Sequence, residues 1–423
     1  MQAEEIIKHS IKYIEQNLKE SIELEVLANL AGYSIDHYQK LFSKITGISV
    51  AKFLNKRRLD AALVEIYKGR RTIDVAFDYG FESYAGFYKA FVRTYGGSPK
   101  KYLSKEESSM ISEIELRKIL ENWDIPQDLP ILTAPTVNPS SKVWIVGKDY
   151  VLKTEEKSRL LTNLKIVKAL SALSVNVGAP ISTKLGEDYL DGEHVFTLTR
   201  GIKGKSLSKD EHFGKNRKQF GVLYGESIAH LHQSLKSIEP ELNINQVNLY
   251  KQLTEWAIPL VKKINLQWSM GIQDSFFENY MTTFEKLYPK LPEQLVHRDP
   301  NPGNIMFENG KVSGFIDFDI SERNVRLWDP CYCATGILAS WNDISEIQTL
   351  WPEILLGVLQ GYNRINPLTN EEKMAVYSII CAIQMIFVAY CDDVPELQEL
   401  AKTNREMLVY MIDNENVIKG IVE

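Results

Sequence analysis

Three oxygen-bearing side chains lie at fixed spacing within residues 296–319, which read VHRDPNPGNIMFENGKVSGFIDFD. Asp299 follows His297 by two residues, Asn304 comes five residues later, and Asp317 comes thirteen beyond that. Two apolar runs, IMF and VSGFI, flank ENGK, and Asn-Gly between apolar runs is the strongest short signal for a β-hairpin. The pattern therefore predicts that Asp317 folds back beside Asn304.

This placement is suited to phosphoryl transfer. An amide oxygen from Asn304 and a carboxylate from Asp317 can together hold Mg²⁺ against the phosphates of ATP or another nucleoside triphosphate. Asp299 can accept the proton of an attacking hydroxyl. The spacing thus predicts a metal site, a nucleotide and a small hydroxylated acceptor.

The HxDxxxxN motif is followed by a hairpin and then by an Asp. This order of motifs resembles that of the aminoglycoside-phosphotransferase and choline-kinase group more than that of protein kinases. Asp317 begins the Asp-Phe-Asp run of IDFD, where protein kinases have Asp-Phe-Gly. The resemblance implies that Asp299 is the catalytic base and that Asn304 and Asp317 are the metal ligands. It implies structural roles for His297, which would orient the loop, and for Asp329 of the WDP run, which would support the catalytic segment.

A phosphate-binding lysine is the next element that the resemblance implies. Lys153 closes the strand DYVLK and matches the lysine that binds the α- and β-phosphates in these folds; the alternative is an exposed strand end. The preceding loop, TVNPSSKVW, contains no glycine, so we expect Ser140, Ser141 and backbone amides to contact the phosphates.

One position departs from the family. The helix SRLLTNLKIVKALSAL should supply a glutamate partner for Lys153, but Asn163 stands where that carboxylate belongs. Glu155 and Glu156 are candidate substitutes, although both are close to Lys153 along the chain. Without a partner Lys153 is less firmly placed, and we expect slow or absent catalysis.

The first hundred residues contain an internal repeat of helix, glycine turn and helix. Leu27, Ala28 and Gly32 recur 48 residues later as Val75, Ala76 and Gly80, and the pattern Tyr-x-Lys-x-Phe from Tyr38 recurs 49 residues later from Phe87. Ser34 and Ser83 are predicted to cap the second helix of each copy. The pattern predicts two helix-turn-helix motifs, joined by a helix over 50–67.

The helical period separates an inward face from an outward face in each second helix. The inward positions are Tyr38, Leu41, Phe42 and Ile45 in the first copy, and Phe87, Ala90, Phe91 and Thr94 in the second. The outward positions are Asp36, Gln39 and Lys40 in the first copy, and Tyr84, Ala85, Lys89 and Arg93 in the second.

Residues 22–50 and 72–103 together resemble the AraC/XylS DNA-binding domain, most specifically in GFES followed by YGGSPKKY. The resemblance implies that the outward positions contact double-stranded DNA. Lys and Gln donate hydrogen bonds to phosphates and base edges, whereas Asp and Ala do not, so the two helices should read their sites unequally. A helical bundle with two such turns is the alternative.

Charge is unevenly distributed along the chain. The net charge is -6, yet residues 1–104 carry 16 Lys and Arg against 12 Asp and Glu. This modest excess is compatible with a polyanionic partner. We expect five basic residues either to contact DNA phosphates or to form a solvated helix face: Lys56, Arg57, Arg58, Arg70 and Arg71.

The domain organisation follows from these motifs. We predict a DNA-binding domain over 1–104, a linker and connecting helix over 105–125, and a kinase-like domain over 126–423, with an N-lobe at about 126–200 and a C-lobe at about 201–423. The fold class is an all-α N-terminal domain followed by an α+β, bilobal, protein-kinase-like domain. The oligomeric state stays open.

Composition fits a folded protein that does not span a membrane. The chain has 44% hydrophobic and 25% charged residues, and no charged-then-apolar leader is evident, so the cytoplasm is the expected location. The apolar segment at 376–391 is short for a bilayer span and is expected to form a core helix. The four cysteines are expected to be reduced core residues. The acidic run at 392–400 either favours a cationic acceptor or is a solvated helix end.

Three functions remain open from the sequence. The first is a transcription regulator whose kinase-like domain senses a nucleotide or small molecule. The second is an active kinase for a small hydroxylated compound, such as an aminoglycoside or another amine or alcohol, that also regulates its own gene neighbourhood. The third is a pseudokinase scaffold in which only DNA binding is intact.

Overall fold

Two compact units, residues 1–117 and 118–423, make up the computed structural model of the chain. It describes residues 6–7, 9–11, 13–14, 17–20, 22–46, 49–67, 70–81, 83–95, 111, 113–134, 142–155, 157–192, 194–340, 344–392, 394 and 397–421. The exact domain boundaries stay a prediction. The all-α class of the first unit and the kinase-like α+β class of the second are confirmed.

The first helix-turn-helix motif consists of helix α1 (Leu24–Leu30) and helix α2 (Ile35–Thr46). Gly32 joins them with φ +72°, a left-handed conformation that glycine adopts without steric cost. The Ser34 hydroxyl accepts a hydrogen bond from the backbone nitrogen of His37, which caps α2 as predicted. Tyr38 and Phe42 of α2 are fully buried in the core of this motif.

The second motif repeats this geometry. Helix α3 (Val50–Tyr67) leads to α4 (Thr72–Asp78) and α5 (Tyr84–Tyr95), with a left-handed glycine, Gly80, at φ +74° in the turn. Ser83 accepts a hydrogen bond of 3.1 Å from the backbone nitrogen of Gly86. Val50 of α3 packs in the first core and Leu59 in the second, so α3 connects the two motifs.

In α2 and α5, the second helices of the two motifs (the candidate recognition helices), the buried face ends one turn earlier than the period predicts. Ile45 is 37% exposed and Thr94 is exposed as well, so both predictions of burial at these positions are wrong. These residues lie in the last turn of their helices, beyond Phe42 and Phe91, which are the last fully buried residues of α2 and α5 among those described. Periodicity alone does not reveal where packing ends.

A short helix, α6 (Glu113–Leu120), contains the division between the two units, and the second unit continues with a four-stranded antiparallel sheet. The strands are β1 (Ile131–Ala134), β2 (Lys142–Val146), β3 (Tyr150–Glu155) and β4 (Val195–Arg200), in the order β1-β2-β3-β4. Gly147, at φ +64°, lies in the turn between β2 and β3. Helix α7 (Lys157–Ala172) follows β3, so the sheet and α7 form the small lobe that presents Lys153.

The large lobe is mainly helical. Its helices are α8 (Lys209–Phe213), α9 (Arg217–Ile238), α10 (Leu249–Gln252), α11 (Ile258–Trp268), α12 (Asp274–Leu287), α13 (Trp328–Ala339), α14 (Trp351–Ile365), α15 (Asn370–Cys391), α16 (Gln398–Asp413) and α17 (Glu415–Gly420). Two antiparallel pairs of short strands lie between α12 and α13. They are β5 (Glu293–Val296) with β8 (Glu322–Val325), and β6 (Ile305–Glu308) with β7 (Lys311–Phe315).

Helices α9 and α14 pack closely against each other at two glycines on each helix. Gly221 and Gly225 of α9 face Gly357 and Gly361 of α14, each pair being four residues apart. A Cβ atom on Gly225 would lie 2.0 Å from the carbonyl oxygen of Val358, far inside contact distance. The backbones therefore approach more closely than any larger side chain allows.

Helix α15 is long and apolar enough to cross a membrane by length and composition, but 83% of its most apolar window is buried inside the fold. It is therefore a core helix of the large lobe, as predicted. All four cysteines are buried and unpaired.

Candidate functional site

A buried carboxylate, Asp329, fixes the loop that follows β5. It accepts hydrogen bonds from the backbone nitrogens of His297, at 2.8 Å, and Arg298, at 3.0 Å. His232 of α9 lies 2.8 Å from the same carboxylate, and the His297 ring contacts the Ile316 carbonyl at 3.0 Å. The structure places His297 and Asp329 in the interior, where they hold the loop.

Asp299 lies at the centre of this loop with both carboxylate oxygens hydrogen-bonded. Asn301 donates from Nδ2 at 2.8 Å, and Asn304 donates from Nδ2 at 3.0 Å. The Tyr332 hydroxyl of α13 also lies near this carboxylate. Burial raises the pKa of Asp299, while Asn301 and the nearby Tyr332 hydroxyl oppose that rise. Its orientation is therefore fixed before any ligand binds.

The β6–β7 hairpin brings together the two candidate metal ligands. Asn309 and Gly310 have φ values of +52° and +74°, as a tight hairpin turn requires. At the open end of the hairpin, the backbone nitrogen of Ile316 donates to the Asn304 carbonyl at 3.0 Å. Asp317 follows directly, with φ +67°. The chain segments that carry Asn304 and Asp317 therefore lie side by side.

Lys153 of β3 reaches this segment from the small lobe. Its Nζ lies 3.0 Å from Asp317 and also forms an ion pair with Asp319. Burial lowers the pKa of Lys153, but the nearby carboxylates outweigh burial and raise the pKa overall. For Asp317, burial favours a higher pKa, and the charge of Lys153 outweighs it and lowers the pKa. Lys153 is therefore a charged residue of this cleft, and not an exposed strand end.

Asp319 is the carboxylate partner that the sequence did not identify for Lys153. Asn163 of α7 donates a hydrogen bond of 2.6 Å to Asp319. The position that lacks the expected glutamate is thus linked to Lys153 through Asp319. The expectation that Lys153 lacks a firm partner is wrong, because the second Asp of the IDFD run supplies one.

Glu155, one of the two proposed substitutes for the missing glutamate, lies farther from Lys153 than Asp317 and Asp319 do. Its Oε1 atom lies 3.9 Å from Lys153, and neither of its buried carboxylate oxygens has a hydrogen-bond partner among the described residues. Burial raises the pKa of Glu155 to about 8, even though Lys153 opposes the shift. Burial therefore disfavours the charged form of Glu155, and Asp319 is the carboxylate paired with Lys153. Glu156 lies outside the described residues.

The donor set fits a divalent cation that is also held by phosphates. Asn304 uses its amide hydrogens on Asp299, which leaves its amide oxygen available to a cation. Asp317 adds one carboxylate. No group of three His, Cys, Asp or Glu side chains suited to a metal occurs within the described part of the chain. Mg²⁺ is typically bound by one or two carboxylates together with substrate phosphates and water.

Two other predictions concern the surroundings of the cleft. Ser140 and Ser141 lie outside the described residues. In the acidic run at 392–400, Asp392 is not available to attract a cation, because it accepts hydrogen bonds from Arg405 at 2.7 Å and from the Trp268 indole at 3.0 Å.

The candidate DNA-binding surface lies on α2 and α5 of the first unit. Three of its positions, Asp36, Gln39 and Lys40, are exposed on α2. On α5, Tyr84, Ala85 and Lys89 are exposed, while the side chain of Arg93 lies outside what is described. Contact with DNA stays a prediction for all of these residues.

Among the five basic residues expected to contact phosphates or solvent, Arg58, Arg70 and Arg71 form bonds that the structure describes within the unit. Arg58 donates to the carbonyl of Leu18 at 3.0 Å and to the carbonyl of Glu20. Arg70 pairs with Asp78, and Arg71 pairs with Asp74, each at 2.7 Å. Arg58 in particular stabilises the fold, because its guanidinium also lies under the Gly80 turn.

Comparison with known families agrees with this geometry. Residues 136–375 match the phosphotransferase enzyme family and residues 27–105 match a helix-turn-helix domain. The chain belongs to the phosphotransferase enzyme family, and it carries an AraC-type helix-turn-helix region at its N-terminal end. Both resemblances inferred from the sequence are confirmed.

Curated relatives match each part separately. An uncharacterised HTH-type transcriptional regulator, YbfP of Bacillus subtilis, is 33% identical over 126 residues, or 29% of this chain and 43% of that protein. The transposon Tn10 TetD protein of Escherichia coli is 37% identical over 98 residues, 23% of this chain and 71% of that protein. A homoserine kinase of Gluconobacter oxydans is 29% identical over 123 residues, 29% of this chain and 37% of that enzyme. The chain thus spans less than half the length of two of these relatives.

Solved structures share the fold of the second unit. Amicoumacin kinase hAmiN, solved with AMP-PNP, Ca²⁺ and Ami, has 15% identity and a TM-score of 0.53, covering 75% of this chain and 96% of that one. A microcompartment-associated aminopropanol kinase has 14% identity and a TM-score of 0.52, covering 73% and 99%. At this identity the likeness establishes the fold alone.

Proposed function

We propose that this chain is a DNA-binding transcription regulator whose second unit binds Mg²⁺ with ATP or another nucleoside triphosphate and transfers the γ-phosphoryl group to a hydroxyl of a small molecule. The observation that carries the proposal is the junction at the hairpin. The Ile316 nitrogen is 3.0 Å from the Asn304 carbonyl, so the loop that holds Asp299 and the segment that begins with Asp317 meet at the lysine of the small lobe.

Each residue of this junction has a defined task. Lys153 binds the phosphates of the nucleotide, and its positive charge and its ion pairs with Asp317 and Asp319 support this role. Asn304 and Asp317 supply oxygen ligands for the cation, which when bound neutralises charge on the phosphates. Asp299 orients the acceptor hydroxyl and takes its proton, because its carboxylate is already fixed by Asn301 and Asn304.

The acceptor that fits this proposal is a hydroxylated amine or alcohol. Proteins of the same fold include aminoglycoside phosphotransferases and an aminopropanol kinase, and this likeness motivates the choice of acceptor class. The double-stranded DNA partner is motivated by the helix-turn-helix match and by relatives described as regulators. A cytoplasmic location remains part of the proposal.

The decisive experiment measures ATP consumption by the full chain over a panel of hydroxylated amines and antibiotics. We expect Mg²⁺-dependent turnover with at least one acceptor. Asp299→Asn should abolish turnover while Mg-ATP still raises the melting temperature, and Asp317→Ala should abolish both effects. Asp210→Asn, an exposed aspartate in α8, is the control and should change neither.

The outcomes separate the three functions. A melting shift without turnover for any acceptor would replace the enzyme by a nucleotide sensor. The absence of a shift at millimolar Mg-ATP would leave only a scaffold with DNA-binding activity. Turnover that survives Asp299→Asn would contradict the assignment of the base.

A further inference from the structure

A cavity of about 1050 Å³ lies in the large lobe among α12, α15, α16 and α17. Its walls combine three aromatic rings, from Phe276, Tyr280 and Tyr377, with flexible apolar side chains such as Met374. Binding pockets for small molecules are typically of this size and this largely apolar character, with a few polar groups that set orientation.

The cavity is separate from the phosphotransferase cleft. None of its lining residues belongs to the segments 297–304 or 317–319. It is lined by the first two turns of α15, up to Ser378, whereas the ring of Phe387, nearer the other end of α15, packs on Tyr332 beside Asp299. Nine residues of helix separate these positions by roughly 13 Å, at about 1.5 Å per residue.

The short strand β5 separates the two sites in the same way. The N-terminus of α15 is fixed at the start of β5, because Arg326 bonds both Glu372 of α15 and the carbonyl of Pro292. The catalytic loop leaves the opposite end of β5, after Val296. The cavity therefore does not open beside the group that would act on an acceptor.

Polar groups at the cavity lack protein partners. Lys286 and Lys373 both line it, and the side-chain ammonium group of neither forms an ion pair or hydrogen bond with any described residue. Tyr377 also lines the cavity and is otherwise buried, with 5% of its surface exposed.

The signs of charge indicate what kind of ligand fits. Three lysines line the cavity against two acids, and one of these acids, Glu415, is bonded to the third lysine, Lys419, at 2.5 Å. Lys419 Nζ also lies 5.3 Å from the centre of the Tyr377 ring. Lys286 and Lys373 are thus the uncommitted cations of the cavity. Unpaired lysines beside an aromatic wall favour an anion that carries an apolar body.

We infer that this cavity is a binding site for an amphipathic organic anion, in which a ring system packs against Phe276, Tyr280 and Tyr377, and a carboxylate, sulfonate or phosphate binds Lys286 and Lys373. This site is additional to the phosphotransferase cleft. The inference does not depend on catalysis, because it rests only on the walls of the cavity.

The test uses 8-anilinonaphthalene-1-sulfonate, an aromatic sulfonate whose fluorescence rises in apolar surroundings, with the full chain. We expect saturable binding with a stoichiometry of one that millimolar Mg-ATP does not displace. The pair Lys286→Gln and Lys373→Gln should weaken binding by about tenfold, since a charge-assisted contact is lost at each. Lys263→Gln, an exposed lysine on α11 outside the cavity, is the matched control and should leave binding unchanged.

An uncharged relative of the probe, N-phenyl-1-naphthylamine, tests the role of charge. It should bind the cavity with equal affinity in the parent chain and in the double lysine variant. Thr283→Trp, which fills the cavity from the exposed face of α12, should abolish binding of both probes. Displacement by Mg-ATP, an unchanged affinity in the double variant, or binding that survives Thr283→Trp would each overturn the inference.

Discussion

The amide nitrogen of Asn163 lies 2.6 Å from a carboxylate oxygen of Asp319, and the other oxygen of Asp319 is paired with Lys153. The helix of the small lobe thus reaches the phosphate-binding lysine through an amide and an aspartate. A glutamate on that helix would make the contact directly. Asp319 carries the negative charge, and Asn163 holds it in place.

This arrangement predicts that restoring a glutamate at position 163 is harmful. Asn163→Glu would replace a hydrogen-bond donor by a second carboxylate next to Asp319. The side-chain amide oxygen of Asn163 is already buried without a partner among the described residues, so the added carboxylate oxygens would also lack donors. A lost hydrogen bond to a charged group costs about 1.5–3 kcal/mol. We expect a lower melting temperature and roughly tenfold weaker Mg-ATP binding or more, measured by thermal shift and calorimetry.

Ser171→Glu, which adds the same charge at an exposed position of α7, is the control and should change little. Tighter Mg-ATP binding in Asn163→Glu would show that position 163 still acts as the usual partner of Lys153. In that case Asp319 would not be the residue that holds the lysine.

Sequence reasoning found the parts of the site that are local. The hairpin followed from Asn309 and Gly310, because the turn chemistry of adjacent residues fixes which way the strands return. The Ser34 and Ser83 caps followed from the same kind of local rule. The pairing of Asn163 with Asp319 did not, because these residues are 156 positions apart and only the packing of the lobes brings them together.

Two exposed lysines at matching positions of the recognition helices test the DNA-binding surface. Lys40→Ala on α2 and Lys89→Ala on α5 should each weaken binding to a site selected from random duplexes. Each lysine would release about one counterion on contact with a phosphate. Each substitution should therefore make the negative slope of log K against log salt less steep by about 1.

Lys52→Ala, an exposed lysine on the linking helix α3, is the control for charge alone and should leave the slope nearly unchanged. Identical footprints and slopes for the parent chain, Lys40→Ala and Lys89→Ala would contradict the assignment of α2 and α5 as the recognition helices.

The repeated turn glycines differ in their surroundings, which gives a prediction about stability. Gly80→Ala and Gly32→Ala both force a left-handed residue, at a cost of about 1–2 kcal/mol. A Cβ atom at Gly80 would also lie 3.0 Å from the Arg58 guanidinium, whereas nothing lies within 4 Å at Gly32. We therefore expect Gly80→Ala to destabilise the first unit more than Gly32→Ala, as measured by thermal unfolding.

The repeat in the sequence could not predict this difference. The motif places the same residue type in both turns, but Arg58 has no counterpart in the first repeat that reaches Gly32. Equal losses of stability in the two variants would mean that Arg58 moves aside at no cost, and would remove its proposed role as a support for the second turn.

The last prediction concerns pH and the second unit. Burial lowers the pKa of His212 to about 4, against an ordinary value near 6.5, and the charge of Glu211 opposes the shift only in part. Between these values the unfolded chain binds a proton and the folded chain does not. This residue therefore makes the folded state less stable as pH falls from about 6.5 to about 4, by up to about 1.4 kcal/mol per pH unit.

His212→Gln should flatten that dependence, since glutamine does not titrate, and the comparison of melting temperatures at pH 7 and pH 5 measures it. Tyr224→Phe is the matched control. It removes the partner that lies 2.8 Å from His212 Nε2 but keeps the buried imidazole, so the steep dependence on pH should persist. If His212→Gln and the parent chain lose stability in parallel between pH 7 and pH 5, the imidazole is already accessible to protons in the folded state, and the acid sensitivity of this unit arises elsewhere.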